Sequence, residues 1–158
     1  MSEKNVLFAT EDQFDDSEQL VEVDTSLFLV FVAGGLRFGA SADYVVEIIT
    51  DHSITKIPNV PSYIRGIINL RGQLVPIIDM CMRLGRPADE DNLVIVLDIE
   101  GTMIGILVNR VDQMIPVPVD SILPMPANSQ EKMVTGMCTL PDSNDTMLVL
   151  DCPLLIHD

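Results

Sequence analysis

The chain has 158 residues, 47% of them apolar, and its 24 acidic residues against 9 basic ones give a formal net charge of −15. This composition predicts a packed core within one domain or two very small ones. It argues against nucleic acid as a partner, since the chain would repel phosphate and has no lysine or arginine cluster. No apolar run approaches the ~20 residues of a membrane span, so direct membrane insertion is not expected.

The N-terminal segment 1–26 differs from the rest of the chain in charge. It holds eight acidic residues and one lysine, and the sequence turns acidic where a secretory signal would turn apolar. Such a segment buries too little apolar surface to offset its ordering entropy. Residues 1–26 are therefore predicted to be an acidic flexible tail, residues 27–158 to be the folded domain, and the protein to be cytoplasmic. A second polar stretch, Gly85–Asn92, is predicted to be an exposed linker.

Two β-hairpins are predicted in the folded part, one at the start of each half. The runs Leu27–Ala33 and Leu93–Ile99 have strand length and are rich in β-branched residues. The pairs Gly34-Gly35 and Glu100-Gly101 follow these runs and suit the positive φ values of two-residue hairpin turns. A second apolar run follows each turn and supplies the second strand.

The two halves of the folded part repeat one another. When the first half is aligned with the second, glycine, proline, valine and aspartate residues fall on residues of the same type. The offset between the halves grows along the chain, as small loop insertions would cause. The matched pairs include Gly35 with Gly101, Val45 with Val111, Pro58 with Pro126, Gly66 with Gly136, and Asp79 with Asp151. Two copies of a roughly five-stranded unit are the natural interpretation, and a chance alignment of apolar residues is the alternative.

Each unit is predicted to curl into a small barrel, because short strands with an apolar face otherwise leave exposed edges. The first barrel is expected at about 27–85 and the second at about 93–156, with the sharing of strands between them left open and a groove between the barrels. Asp79 is expected to cap a short helix that ends before Gly85. Pro116 and Pro118 predict that their strand lies at a sheet edge or carries a bulge.

The sequence offers few catalytic or metal-binding residues. Its three cysteines, Cys81, Cys138 and Cys152, form no CxxC pair, and its two histidines lie in a polar loop and near the C-terminus. No Ser/His/Asp or Cys/His spacing indicates nucleophilic catalysis. The sequence therefore offers no catalytic or metal-binding motif, no cofactor is expected, and the cysteines are expected to be buried or half-buried. An enzyme with a thiol- or metal-based site is the alternative.

Two charged residues stand beside apolar runs. Glu47 interrupts the run Val45–Ile49, and Arg71 lies in a glycine-flanked turn between two apolar runs. The simpler interpretation is that Glu47 lies on the solvent face of a half-buried strand and that Arg71 is an ordinary turn residue. The functional interpretation is that both residues anchor a binding interface, since arginine beside apolar surface is enriched in binding hot spots. Because an unpaired charge near apolar surface is costly, the two are predicted to pair with each other.

The segment Arg65–Asp79 (RGIINLRGQLVPIID) resembles the signature of the CheW family of bacterial chemotaxis coupling proteins. Phe28–Gly39, Val45–Ile48 and Ile104–Val111 match the family in order, so the resemblance covers about residues 27–156. It implies an all-β fold of two five-stranded SH3-like barrels with short helices, in agreement with the repeat. It also implies a noncatalytic adaptor that joins the tips of methyl-accepting chemoreceptors to the regulatory domain of the CheA histidine kinase.

The resemblance also assigns two surfaces to the chain. The receptor-binding positions are Val45, Glu47, Arg71, Gly105, Val111 and Met114. The kinase-binding positions are Ile64, Gly66 and Ile67. An adaptor of this kind is expected in the cytoplasm, where membrane-associated receptor arrays recruit it. The alternative within the same fold is an adaptor of another two-component pathway, such as twitching motility.

Overall fold

The computed structural model describes residues 2–7, 21–87, 92–126, 132–141 and 143–156, and within these ranges twelve strands form two sheets. The strands are β1 (Ser2–Leu7), β2 (Val21–Ala33), β3 (Leu36–Ser41), β4 (Val45–Ile49), β5 (Ile64–Leu70), β6 (Gln73–Asp79), β7 (Leu93–Ile99), β8 (Thr102–Val108), β9 (Arg110–Pro118), β10 (Leu123–Pro124), β11 (Val134–Thr139) and β12 (Thr146–Leu150). The helical elements are α1 (Met80–Arg83) and the 3-10 turns Ala42–Tyr44, Val119–Ser121 and Cys152–Leu155.

The strands divide into two barrels. Barrel I is a five-stranded sheet in the order β4-β7-β8-β6-β5. Barrel II follows the order β1-β2-β3-β12-β11-β10, and β9 pairs with the free side of β2. Five long strands (β2, β3, β9, β11 and β12) make up the body of barrel II, with β1 and β10 added at its margins. The all-β prediction of two pseudo-repeated, five-stranded SH3-like barrels with short helices is confirmed.

The repeat is visible in the strand pairing. In barrel I, β6 runs parallel to β8 and β4 is antiparallel to β7, and in barrel II β12 runs parallel to β3 and β9 is antiparallel to β2. The β2–β3 hairpin of the first half therefore pairs with later strands of the second half, and the β7–β8 hairpin of the second half pairs with later strands of the first half. The barrels do not coincide with the ranges 27–85 and 93–156, because the short 3-10 turn after β3 carries the chain across to the other barrel.

Apolar side chains fill three clusters. One cluster lies inside barrel I and includes Val75 and Val96, and a second lies inside barrel II and includes Val30 and Met147. The third and largest, which includes Phe31, lies between the two sheets. β2 and β7 face a barrel interior with alternate residues and the shared cluster with the others, which explains their nearly continuous apolar runs. The groove expected between the barrels is thus occupied by packed core.

Several local predictions are confirmed. Gly34 and Gly35 have φ of 60° and 80°, and Glu100 and Gly101 have φ of 53° and 89°, as two-residue hairpin turns require. Asp79 caps α1 by accepting a hydrogen bond from the backbone N–H of Met82 at 3.2 Å. The proline-containing strand β9 pairs with β2 alone, and a register irregularity marks this pairing.

The N-terminal segment differs from the prediction where the structure describes it. β1 pairs antiparallel with Val21–Ser26, so β2 begins before the expected start of the folded domain at residue 27. Val21, Val23 and Thr25 alternate with acidic residues, as strand residues do, and the high net charge of the segment obscured this pattern. The register places Lys4 opposite Asp24. Residues 1 and 8–20 of the predicted tail, and 88–91 of the predicted linker, lie outside the described residues.

Candidate interaction site

Glu47 and Arg71 are in contact, as their sequence setting predicts. The Nη1 of Arg71 donates to Oε1 of Glu47 at 2.8 Å, and Nη2 donates to the same oxygen. The Arg71 side chain is 69% exposed and that of Glu47 is 29% exposed. An exposed pair of this kind contributes only about 0–1 kcal/mol to stability. Its structural effect is to hold one edge of an exposed guanidinium and leave the rest free for a partner.

The β5–β6 hairpin turn fixes the backbone of Arg71. Arg71 and Gly72 have φ of 51° and 85°, and the side chain of Asn69 accepts a hydrogen bond from the backbone N–H of Gly72 at 2.9 Å. Asn and Gly are the residues that such a positive-φ turn favours, whereas Arg at this position is strained. The strained position is the one that projects the charged side chain towards Glu47 on β4.

Strand β4 turns its apolar residues outward beside this pair. Val46 and Ile48 are 45% and 41% exposed, whereas Glu47 between them is half-buried. A bulge between Val45 and Glu47 interrupts the pairing with β7. Glu47 therefore does not lie on the solvent face of an ordinary half-buried strand. Exposed apolar residues thus flank both members of the ion pair along the chain, and this apolar margin consists of Val46, Ile48 and Leu74, which is 64% exposed.

One row of paired residues crosses barrel I and links both predicted surfaces. Glu47 pairs with Val96, Val96 with Gly105, Gly105 with Ile77, and Ile77 with Gly66. The row spans all five strands of the sheet, and the sheet curls so that Arg71, directly after β5, reaches Glu47 on β4. Gly105 is buried in its middle, where a Cβ would lie 2.5 Å from Cδ1 of Ile77. Gly105 therefore lies beneath the surface, where its missing side chain leaves room for Ile77.

The predicted kinase positions lie on β5, at the other edge of barrel I. Gly66 has φ of 146°, and a Cβ there would lie 2.1 Å from the backbone oxygen of Thr55. This close approach lets Thr55 and Ile67 exchange two backbone hydrogen bonds, of 2.8 and 2.9 Å. Ile64 lines an open cleft of about 450 Å³ together with Arg65 and neighbouring residues. Ile64 and Ile67 are half-buried, so both retain surface that a partner can contact.

The remaining receptor positions, Val111 and Met114, lie on β9 of barrel II. Val111 is half-buried against the shared cluster, and Met114 is 44% exposed. In the sequence repeat they are the equivalents of Val45 and Ile48. Four of the six predicted receptor positions thus lie on the equivalent strands β4 and β9, whereas Arg71 lies in the β5–β6 turn and Gly105 on β8. Among the six, the side-chain contact that the structure describes is the one between Glu47 and Arg71.

The sequence interpretation missed a second ion pair. Arg65 donates to Oδ2 of Asp79 at 2.7 Å, and the Asp79 side chain is 3% exposed. The same carboxylate caps α1, so it fixes both the helix and the side chain of Arg65 beside the kinase positions. The signal was available, because a hairpin centred on Arg71 and Gly72 brings positions 65 and 79 to the same end of its two strands.

The described ranges bear on two kinds of reactive group, metal ligands and cysteine thiols. No group of three or more His, Cys, Asp or Glu residues among them is arranged to hold a metal ion. The three cysteines are buried and unpaired, as predicted, and burial raises the pKa of Cys152 to about 12. Such a thiol is protonated at neutral pH and is a poor nucleophile. No helix of the described part of the chain is long and apolar enough to cross a membrane.

Comparison with known proteins agrees with this geometry. The family model for the CheW-like domain matches residues 27–158. The chain belongs to the CheW-like family. The chemotaxis protein CheW of Klebsiella aerogenes is 32% identical over 126 residues, which cover 78% of this chain and 76% of the relative. The protein PilI of Pseudomonas aeruginosa is 33% identical over 94 residues, which cover 58% of this chain and 53% of PilI.

A solved structure supports the same assignment. The scaffolding protein TtCheW from Thermoanaerobacter tengcongensis is similar with a TM-score of 0.73 and 31% sequence identity, covering 80% of this chain and 88% of TtCheW. The resemblance seen in the segment Arg65–Asp79 is thereby confirmed. β1 and the acidic residues that surround it precede the region that the family model matches.

Proposed function

We propose that this CheW-like protein is a noncatalytic adaptor that couples the cytoplasmic tips of chemoreceptors to the regulatory domain of a CheA-type histidine kinase. The observation that carries the proposal is the Glu47–Arg71 pair set in an exposed apolar margin at one edge of barrel I. Apolar surface with a central arginine is the composition of a binding hot spot. The protein acts in the cytoplasm, and receptor arrays at the membrane recruit it.

The receptor tip binds to the surface formed by Val45, Glu47, Arg71, Val111 and Met114, with Gly105 beneath it. Glu47 preorganises Arg71, because the ion pair restricts the guanidinium before a receptor helix arrives and lowers the entropy lost on binding. The apolar residues exposed on β4 and β9 supply the area that the partner covers. The repeat gives the receptor helix two equivalent strands to contact, one from each barrel.

The kinase regulatory domain binds along β5 of barrel I, through the half-buried Ile64 and Ile67, with the buried Gly66 between them supporting the backbone. The two hydrogen bonds between Thr55 and Ile67 hold the loop before β5 against the sheet, and the missing Cβ of Gly66 allows this approach. The receptor and kinase positions adjoin where Arg71, directly after β5, reaches Glu47 on β4, but the two sets share no residue, so we expect both partners to bind to one copy of the adaptor.

A second candidate stays within the same fold. The similarity to PilI as well as to CheW favours, as the alternative, an adaptor that serves another two-component pathway such as twitching motility. The chemistry of the two surfaces would be the same and the receptor and kinase would differ. Mass spectrometry of the kinase captured by the full-length chain distinguishes the two candidates.

A charge-swap cycle tests the receptor surface. Glu47→Arg and Arg71→Glu are each expected to weaken binding of a receptor-tip helical hairpin by at least tenfold, because each leaves a like-charge pair in the apolar margin. The double variant restores the ion pair in reverse and should recover part of the affinity. Binding of the kinase regulatory domain should change less than twofold in all three variants.

The matched control is Glu100→Arg, which reverses an exposed charge in a comparable positive-φ hairpin turn away from the pair. It should leave both affinities unchanged. A double variant as weak as the sum of the two single variants would mean that Glu47 and Arg71 act as separate contacts. Unchanged receptor affinity in every variant would remove this surface from the proposal.

A further inference from the structure

Barrel II carries its own cleft where the repeat places the counterpart of the Glu47 surface. The cleft has a volume of about 330 Å³. Its floor is apolar, formed by the buried residues Val30, Ile115 and Leu140. Its rim is polar and includes Arg37, Arg110 and Asp112. Asp112 is the equivalent of Val46 in the sequence repeat, so the second copy places a charge where the first has an exposed valine.

A single carboxylate organises the charges of this rim. Oδ2 of Asp112 accepts from Nη1 of Arg37 at 3.1 Å, and its Oδ1 accepts from Nε of Arg110 at 2.8 Å. Oδ2 of Asp145 lies 3.7 Å from Nη2 of Arg37 and shares the charge of that side chain. Asp112 therefore engages two guanidinium groups at once and restricts the side chain of each.

Arg110 keeps the binding edge of its guanidinium open. Only its Nε is used by Asp112, and the described residues provide no hydrogen-bond partner for Nη1 or Nη2. The Arg110 side chain is 58% exposed. The paired terminal nitrogens of arginine match the two oxygens of a carboxylate and can bind it bidentately. The hydrogen bond to Asp112 raises the pKa of Arg110 further, so the group stays charged.

We propose that this cleft binds a carboxylate side chain that an amphipathic helix of the chemoreceptor tip presents beside apolar residues. The inference rests on the proposed function and adds Arg110 to the receptor surface as a specificity-determining residue. Met114, which is 44% exposed, stands on β9 between Gln113 and Ile115, two residues that line the cleft. Its apolar floor takes the helix side chains, and Arg110 takes the charge.

Charge complementarity explains why a fixed cation matters here. The chain carries −15 overall and repels an acidic partner at long range. A receptor tip with a carboxylate in the correct position gains a charge-assisted pair at Arg110, whereas a tip with an acidic residue elsewhere meets only repulsion. The cleft therefore selects among receptor tips by the position of one acidic residue.

The test compares two substitutions of Arg110 in the full-length protein. Arg110→Gln should weaken binding of a receptor-tip helical hairpin about tenfold, in the range expected for losing a hydrogen bond to a charged group. Arg110→Lys keeps the charge but not the fork and should lose about threefold. Lys132→Gln, which removes one exposed charge outside the cleft, is the matched control and should change affinity less than twofold. Circular dichroism and the thermal midpoint confirm that each variant folds.

A scan of the receptor hairpin identifies the carboxylate. Each Glu or Asp of the hairpin is replaced by Gln or Asn, and one of these changes should make Arg110→Gln silent in a double-mutant cycle. If wild-type protein binds the hairpin and Arg110→Gln does not weaken it, or Lys132→Gln weakens it equally, the cleft has no such role and the adaptor proposal stands. Selective loss of kinase-domain binding would assign the cleft to the kinase and overturn the inference. If wild-type protein binds no receptor hairpin, the proposed function fails together with the inference.

Discussion

Replacing Gly66 by alanine should destabilise the protein through its backbone, although the substitution adds only a methyl group. A Cβ at this position would lie 2.1 Å from the backbone oxygen of Thr55 and 2.7 Å from its carbonyl carbon. The φ of 146° is itself unfavourable for alanine and costs roughly 1–3 kcal/mol. Separation of the two segments adds about 0.5–1.5 kcal/mol for each of the two hydrogen bonds between Thr55 and Ile67. The free energy of unfolding should therefore fall by about 2–6 kcal/mol, the sum of the strain and the lost hydrogen bonds.

Gly72→Ala provides the matched control for this prediction. Gly72 also has a positive φ, of 85°, but no atom lies within 4 Å of a Cβ built there. Alanine at this position should cost only the conformational strain, about 1–2 kcal/mol. Urea denaturation of both variants gives the comparison, and titration with the kinase regulatory domain should show a larger loss for Gly66→Ala. Equal loss of stability in the two variants would refute the argument that Gly66 is needed for the approach of Thr55.

Three further predictions concern stability. Burial raises the pKa of Cys152 from 9.0 to about 12, so between these pH values the thiol loses its proton in the unfolded state but keeps it in the folded state. The free energy of unfolding should therefore fall by about 1.4 kcal/mol per pH unit in this range. Cys152→Ala should remove this contribution to the pH dependence of stability. Deletion of residues 1–20 removes β1 together with six acidic residues and one lysine, a composition that buries little apolar surface, so calorimetry should show a loss below about 1 kcal/mol, whereas a loss above ~2 kcal/mol would mean that β1 is part of the stable fold. Asp79→Asn should cost about 1.5–3 kcal/mol in urea denaturation, because it removes the charged partner of Arg65, and an unchanged midpoint would contradict this.

The parts of the fold that depend on local sequence could be predicted. The hairpin turns at Gly34-Gly35 and Glu100-Gly101 and the Asp79 cap follow from backbone preferences within a few residues. The exchange of hairpins between the barrels could not be predicted, because it depends on pairing between strands far apart in sequence, β3 with β12 and β6 with β8. Internal repetition was visible, but repetition alone does not tell which copy supplies which strand.

The candidate site also has features that could be predicted from the sequence and features that could not. The Glu47–Arg71 pair was predictable because each charge stood alone beside apolar residues. The role of Gly105 was not, since nothing local shows that its missing side chain makes room for Ile77 and Val94. β1 escaped prediction because the net charge of the segment outweighed the strand alternation of residues 21–25.

The central claim is that one copy of this protein holds a receptor tip and a kinase regulatory domain at the same time. Sedimentation velocity of the full-length chain with a receptor-tip hairpin and the kinase regulatory domain tests it directly. The two partners are mixed with the adaptor separately and then together. We predict a ternary complex with one copy of the adaptor, because the receptor and kinase positions share no residue although they adjoin at the Glu47–Arg71 contact. Displacement of one partner by the other, or a failure to bind either, would contradict it.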